Sequence, residues 1–224
     1  MIVTNKKVLL GSGSPRRRLL LKELGIDFRV MLSKTAEIPP PILKRDDIVK
    51  FLAEEKADVL KKELHSNEIL ITADTIVWLE DSMLGKPSNA DDAFNMLLKL
   101  RGRNHQVYTA VCLDDGTKRK TFSVESNVHF KKVSDDDLRE YIDLYKPFDK
   151  AGAYGAQECL QDGINPCSEK ENKFLVKNHL YHLLNNSITT ENKKRIPIID
   201  RIEGCYFNVK GLPLVELVEE LKGF

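Results

Sequence analysis

The 224 residues show no excess of charge of either sign: 35 Lys and Arg stand against 34 Asp and Glu, leaving a formal net charge of +1. A dedicated nucleic-acid binder carries a basic surplus, so this balance argues against one and makes any anion site a local feature. Cysteines are few. Cys112, Cys159, Cys167 and Cys205 include no CxxC pair and no histidine at zinc-finger spacing, which argues against a structural zinc site and leaves reduced, mostly buried thiols as the expectation. No apolar run approaches membrane-spanning length, and the few apolar residues between Lys7 and Gly11 are too short for the hydrophobic region of a signal peptide. The expected location is therefore the cytoplasm, with no membrane partner. Aromatic residues make up only 7%, yet 42% hydrophobic and 31% charged residues are the profile of an ordinary globular protein. A chain of this length buries well over half of its unfolded surface and is expected to fold without staples. No internal repeat interrupts it.

What is present reads as alternating strands and helices. Val8 to Leu10 is an apolar run that meets Gly11-Ser12-Gly13-Ser14-Pro15, and Arg16 to Leu24 follows as a helix closed by Gly25. Phe28 to Leu32 is a second strand, after which Pro39-Pro40-Pro41 breaks regular structure. A helix is expected from Asp46, as N-cap, to about Leu64. Ile69 to Leu79 is a β-rich run leading through a turn to Gly85-Lys86-Pro87, and Asp91 to Leu100 is an amphipathic helix. His105 to Leu113 and Phe122 to Val133 are strands joined at Asp114-Asp115-Gly116, and Ser134 caps a helix from Asp135 to Tyr145. Leu160 to Arg195 is rich in Asn, Lys, Glu and Ser. It reads as a mobile insertion with one amphipathic helix, Phe174 to Leu184, inside a single domain spanning 1–224. Regular structure resumes at Ile196 to Ile202 and Tyr206 to Val209, and Leu214 to Leu221 forms a closing helix.

Several residues could carry chemistry, and each has a plainer alternative. Ser12, Arg16 and Arg17 lie where a strand turns into a helix, so free backbone N–H groups and the helix dipole favour an anion such as phosphate. No Gly-Lys-Ser/Thr follows, so this is not a Walker A loop, and a plain turn with solvated arginines gives the same pattern. Lys56 interrupts the ladder Ile48, Leu52, Leu60 and is either a buried amine with an anionic partner or a lysine whose stem packs while its ammonium reaches water. Asp74 sits inside the apolar run Ile71-Thr72-Ala73-Asp74-Thr75-Ile76-Val77, where a metal ion, a lysine or backbone N–H groups must compensate its charge. Gly85-Lys86-Pro87 and the small-residue stretch Asp149 to Gln157 admit a ligand closely, or are only turns.

Taken together, Ser12-Gly13-Ser14-Pro15-Arg16-Arg17, Ala73-Asp74-Thr75, Gly85-Lys86-Pro87, Asp149 to Gln157, and Ile202-Glu203-Gly204 through Gly211-Leu212-Pro213 resemble the Maf family of nucleotide pyrophosphatases in order and spacing. The resemblance implies an α/β fold with an elongated mixed β-sheet flanked by helices, two lobes with a central cleft, and a relation to the inosine triphosphate pyrophosphatases. It also implies a homodimer. Arg16-Arg17, Thr75 and Gln157 resemble the branch that hydrolyses dTTP and UTP to the monophosphate and pyrophosphate. By position, Ser12, Arg16, Glu37, Lys56, Asp74, Lys86 and Gln157 match functional residues of the family, with Arg16, Thr75 and Gln157 setting specificity. The role implied for Asp74 is that of catalytic base and, with Glu37, ligand of a divalent cation, Mg²⁺ or Mn²⁺. Two departures stand out: Glu158 follows Gln157 where the family has glycine, and the 160–195 stretch precedes Ile202. The rival expectation is a nucleotide-binding regulator of cell division in which hydrolysis is incidental.

Overall fold

A computed structural model describes residues 4–185 and 194–224. Its strands are β1 (Lys7–Leu10), β2 (Phe28–Val30), β3 (Glu68–Leu79), β4 (Ser82–Leu84), β5 (Asn104–Asp114), β6 (Arg119–Phe130) and β7 (Ile199–Gly204). Its helices are α1 (Pro15–Glu23), α2 (Asp46–Leu60), α3 (Ala90–Leu100), α4 (Asp135–Tyr145), α5 (Ala156–Cys159), α6 (Glu169–Lys177), α7 (His182–Asn185), α8 (Tyr206–Val209) and α9 (Leu214–Leu221). The strands hydrogen-bond in the order β2-β1-β3-β5-β6-β7, with β4 paired to β3. β1 runs parallel to β2 and β3, whereas β3–β4 and β6–β7 are antiparallel, so the sheet is mixed, as expected. Among the described residues no helix is long and apolar enough to cross a membrane.

The chain divides into two compact units, residues 1–75, 108–124 and 211–224 forming one and 76–107 and 125–210 the other. In the first, Val8, Leu9 and Leu10 of β1 pair in register with Ile69, Leu70 and Ile71 of β3. All six are at most 1% exposed, the burial on both faces that a parallel sheet produces and an unbroken apolar run encodes. Leu20, Leu21 and Leu24 of the α1 region, Ile48, Leu52 and Leu60 of α2, and Leu214, Leu217, Val218 and Leu221 of α9 add to that core. Asp46 does not cap α2. Arg45 occupies that position at φ 53, and Asp46 instead binds Lys50 one turn on and accepts from Ser123 Oγ at 3.2 Å. The helix also stops at Leu60, passing into a single 3₁₀ turn, rather than running to Leu64.

In the second unit α3 buries Ala93, Leu97 and Leu100, and α4 buries Leu138, Tyr141 and Ile142 behind the capping box of Ser134 and Asp137. The 160–195 stretch, expected to be a mobile insertion, is tied to this core over its described part; residues 186–193 lie outside the described residues. Its helix starts at Glu169 rather than Phe174 because Ser168 and Glu171 form a second capping box, and it ends at Lys177. The 1%-exposed Glu171 also accepts from the Cys205 thiol at 3.1 Å and from Phe207 N at 3.0 Å.

His105 of β5 is expected to make this unit sensitive to acid. It is wholly buried, its Nε2 lies 2.7 Å from Tyr154 Oη, and its ring stands edge-on to Phe130 and Tyr154. Burial, with His129 as a lesser cause, lowers its pKa from 6.5 to about 3. Between those values the unfolded chain holds the extra proton, so stability is fully present above pH 6.5 and is lost as pH falls toward 3. We expect at most about 2 kcal/mol of loss between roughly pH 7 and pH 5 from this residue. Thermal unfolding of His105→Phe should show a flatter pH dependence over that range. Glu68, held down to about 2 by Arg29, acts only below its ordinary value of 4.5 and does not obscure the comparison.

Candidate active site

The first unit assembles most of the residues singled out in the sequence. Gly11 follows β1 and donates to Ile71 O at 2.8 Å, and a Cβ there would lie 2.6 Å from Thr72 Cγ2 and 2.7 Å from Leu60 Cδ1, so a larger residue would push those side chains aside. The chain turns through Ser12 and Gly13, and Ser14 caps α1 ahead of Pro15, whose missing N–H costs nothing at a helix start. Arg16 emerges half-buried. Arg17 turns inward and is 8% exposed. Its Nε donates to Gly211 O at 2.7 Å, Nη1 to Ser12 Oγ at 3.1 Å and Ala73 O at 2.9 Å, and Nη2 to Thr75 Oγ1 at 2.9 Å. Thr75 Oγ1 is 2.9 Å from Thr109 Oγ1 as well. Gly211, at φ +101, would place a Cβ 3.4 Å from Thr75 Oγ1, so the carbonyl that receives Arg17 sits in a backbone conformation suited to glycine. Arg17 thus spends its guanidinium on the protein and fixes Ser12 and Thr75 relative to β3. Burial pulls its pKa down to about 10, opposed by Asp74 and Glu37, so it stays charged at neutral pH.

Lys56 resolves the choice its ladder left open. The residue is 6% exposed, and its ammonium contacts Asp74 Oδ1 and lies 2.9 Å from Glu37 Oε1, so it is a buried amine with anionic partners. Two carboxylates from separate segments therefore converge on one cationic point. Glu37 reaches it from a left-handed backbone, φ 53, which a non-glycine residue adopts only when its surroundings require it. Among the described residues no three His, Cys, Asp or Glu side chains are grouped as a metal cage.

The second unit holds the remaining candidates. Gly152 N donates to Gly85 O at 2.9 Å, which seats the Gly85-Lys86-Pro87 turn on the 150–155 loop and leaves the Lys86 side chain exposed. Gly152 combines φ +67 with a Cβ position 2.9 Å from Val77 Cγ2, so no larger residue fits without strain. Beyond it, Gln157 is 6% exposed and its Nε2 donates to Glu158 Oε1 at 3.1 Å. Lys150, in the Asp149 to Gln157 stretch, is 8% exposed and lies 3.6 Å from Glu158 Oε1.

A family model described as "Maf-like protein" matches residues 7–175. The chain belongs to the Maf-like family. Relatives align over nearly the whole chain. A Flavobacterium johnsoniae protein named dTTP/UTP pyrophosphatase is 39% identical over 96% of this chain and 93% of its own length. A Phocaeicola vulgatus protein of the same name is 40% identical over 96% of this Maf-like chain and 95% of its own. Among solved structures, the Staphylococcus aureus Ham1 protein aligns with 15% identity and a TM-score of 0.40, covering 57% of this chain and 73% of that one.

Proposed function

We propose that this Maf-like chain is a nucleoside triphosphate pyrophosphatase that hydrolyses dTTP and UTP to the monophosphate and pyrophosphate. The observation that carries the reading is the buried Lys56 ammonium shared by Asp74 and Glu37, together with the dTTP/UTP pyrophosphatase name of relatives that align over nearly the whole chain.

Asp74 accepts the proton of the water that attacks the α-phosphorus, while pyrophosphate departs as the α–β bond breaks. Lys56 holds that carboxylate in place and adds positive charge for the phosphates. Arg16 and Lys86 add more, since phosphoryl transfer depends chiefly on positioning and charge stabilisation. Ser12 offers its hydroxyl at the strand-to-helix turn, with Arg17 holding it there. Thr75, Arg16 and Gln157 set the choice of nucleotide.

Within the first unit, the positive charge of Lys56 is shared with the carboxylates of Asp74 and Glu37, which a polyanionic triphosphate would also meet, so it arrives with countercharge. The pair of converging carboxylates fits Mg²⁺ or Mn²⁺, which typically take one or two protein carboxylates and complete their shell with phosphate oxygens and water. Glu37 and Asp74 would hold that cation, which when bound supplies charge neutralisation and polarises the phosphates. We place the enzyme in the cytoplasm as a homodimer.

A panel of canonical and modified nucleoside triphosphates, assayed with and without Mg²⁺ or Mn²⁺ for both pyrophosphate and orthophosphate, tests the reading. Pyrophosphate should appear from dTTP and UTP, and only with metal. Release of orthophosphate instead, or tight nucleotide binding with negligible turnover, overturns it, the latter in favour of a regulatory nucleotide-binding role.

A further inference from the structure

One polar network in the second unit surrounds Gln157. The Glu158 side chain, 4% exposed, accepts from Tyr141 Oη at 2.5 Å through Oε2 and from Gln157 Nε2 at 3.1 Å through Oε1. Tyr141 Oη in turn accepts from Gly155 N at 2.9 Å. Gly155 makes the arrangement sterically available: a Cβ there would lie 2.8 Å from the Glu158 carboxyl carbon and 2.9 Å from Gln157 Nε2. With no side chain at 155, Gln157 and Glu158 fold back over the loop.

A carboxamide has a donor end and an acceptor end of nearly the same shape, so its neighbours decide which end faces which way. An ionised carboxylate only accepts. Glu158, with the Lys150 ammonium 3.6 Å away, therefore takes the NH₂ end of Gln157 and turns the oxygen in the other direction. That oxygen, Gln157 Oε1, is buried and has no hydrogen-bond partner among the described residues. A buried acceptor without a donor is costly, so the network stores a demand for one.

We propose that Glu158 is a positioning residue for substrate choice: it holds the Gln157 carboxamide with its oxygen available as an acceptor, selecting a nucleobase that presents a ring N–H donor. Uracil and thymine carry such an imide N–H. Cytosine presents an unprotonated ring nitrogen at that edge, which meets the carboxamide oxygen as acceptor against acceptor. This inference rests on the proposed uridine and thymidine nucleotide pyrophosphatase reading, in which Gln157 contacts the base.

The test is the ratio of kcat/KM for UTP to that for CTP in the wild-type protein, Glu158→Gln and Glu158→Asp. Wild type should favour UTP. In Glu158→Gln the residue at 158 donates or accepts equally well and releases the orientation of Gln157, so the ratio should fall about 10-fold or more, chiefly through KM. Glu158→Asp retains an acceptor-only neighbour and should recover most of the ratio. A merely structural role would lower both substrates in parallel, and an unchanged ratio in Glu158→Gln overturns the proposal. Should Glu158→Gln fail to fold, Gly155→Ala displaces the same carboxylate and amide and carries the same expectation. Wild-type protein that turns over UTP and CTP equally overturns the role of Glu158 alone, whereas wild-type protein that turns over no triphosphate overturns the proposed function and this inference with it.

Discussion

Asp74→Asn should lower kcat for pyrophosphate release from dTTP and UTP by roughly 10²-fold or more, because the substitution removes the proton acceptor and the charge of a metal-binding carboxylate together. Asparagine keeps the shape of the side chain, so the effect isolates charge and basicity. Lys56 still has Glu37 Oε1 at 2.9 Å after the change, which leaves its buried ammonium one anionic partner and makes collapse of the fold unnecessary. Comparison of thermal unfolding with steady-state kinetics separates the two effects: the melting temperature should move little beside the change in kcat. A fall in kcat that extra Mg²⁺ or Mn²⁺ reverses would assign Asp74 to metal retention alone. Near-normal turnover would remove it from the chemistry altogether.

The two residues at the centre of the first unit were legible in the sequence to different degrees, for a shared reason. Lys56 was visible because a cation at the i, i+4 spacing of Ile48, Leu52 and Leu60 breaks an otherwise apolar face. The ladder could not say whether its ammonium would reach water, since that depends on Asp74 and Glu37, which arrive from a strand and a loop distant in sequence. Arg17 was hidden by its neighbours. Three consecutive arginines, Arg16, Arg17 and Arg18, look like one solvated patch, yet successive helical residues point about 100° apart and only one of the three can face inward. The spacing from Arg17 to Leu20, Leu21 and Leu24 marks which one.

Elsewhere the same division recurs. The long apolar run of β3 and the Ser134 cap of α4 are legible in the sequence because hydrophobic pattern and capping chemistry are local. The short strand β4 is not legible in the sequence because its Ser82–Leu84 stretch has no independent apolar alternation and is defined by pairing with Val77, Trp78 and Leu79. Ser168-x-x-Glu171 is a readable helix start, but the surrounding Asn, Lys and Glu obscure it by their polarity. What orders it is the non-local acceptance of Cys205 and Phe207 by Glu171.

Arg17→Met should be the most destabilising single change in the first unit. Methionine fills much of the volume but donates nothing, so the carbonyls of Ala73 and Gly211 lose their 2.9 and 2.7 Å donors while Ser12 and Thr75 lose theirs at 3.1 and 2.9 Å. Buried acceptors stripped of a charged partner each cost more than an ordinary exposed bond is worth, and removing one member of a buried charged network typically costs ~3–5 kcal/mol. For a chain of this size that corresponds to a melting temperature roughly 10 °C lower. Asp74 and Glu37 also lose a nearby positive charge, whose protonated form their own negative charges support against burial in the wild-type protein. Arg17→Lys separates these contributions: it restores the charge but offers one ammonium where a planar fork served four acceptors, so it should recover only part of the stability. The same variant should lower turnover, because Ser12 and Thr75 no longer share a rigid donor. A lysine protein as stable and as active as wild type would show that charge alone matters at this position, and that the geometry of the fork does not.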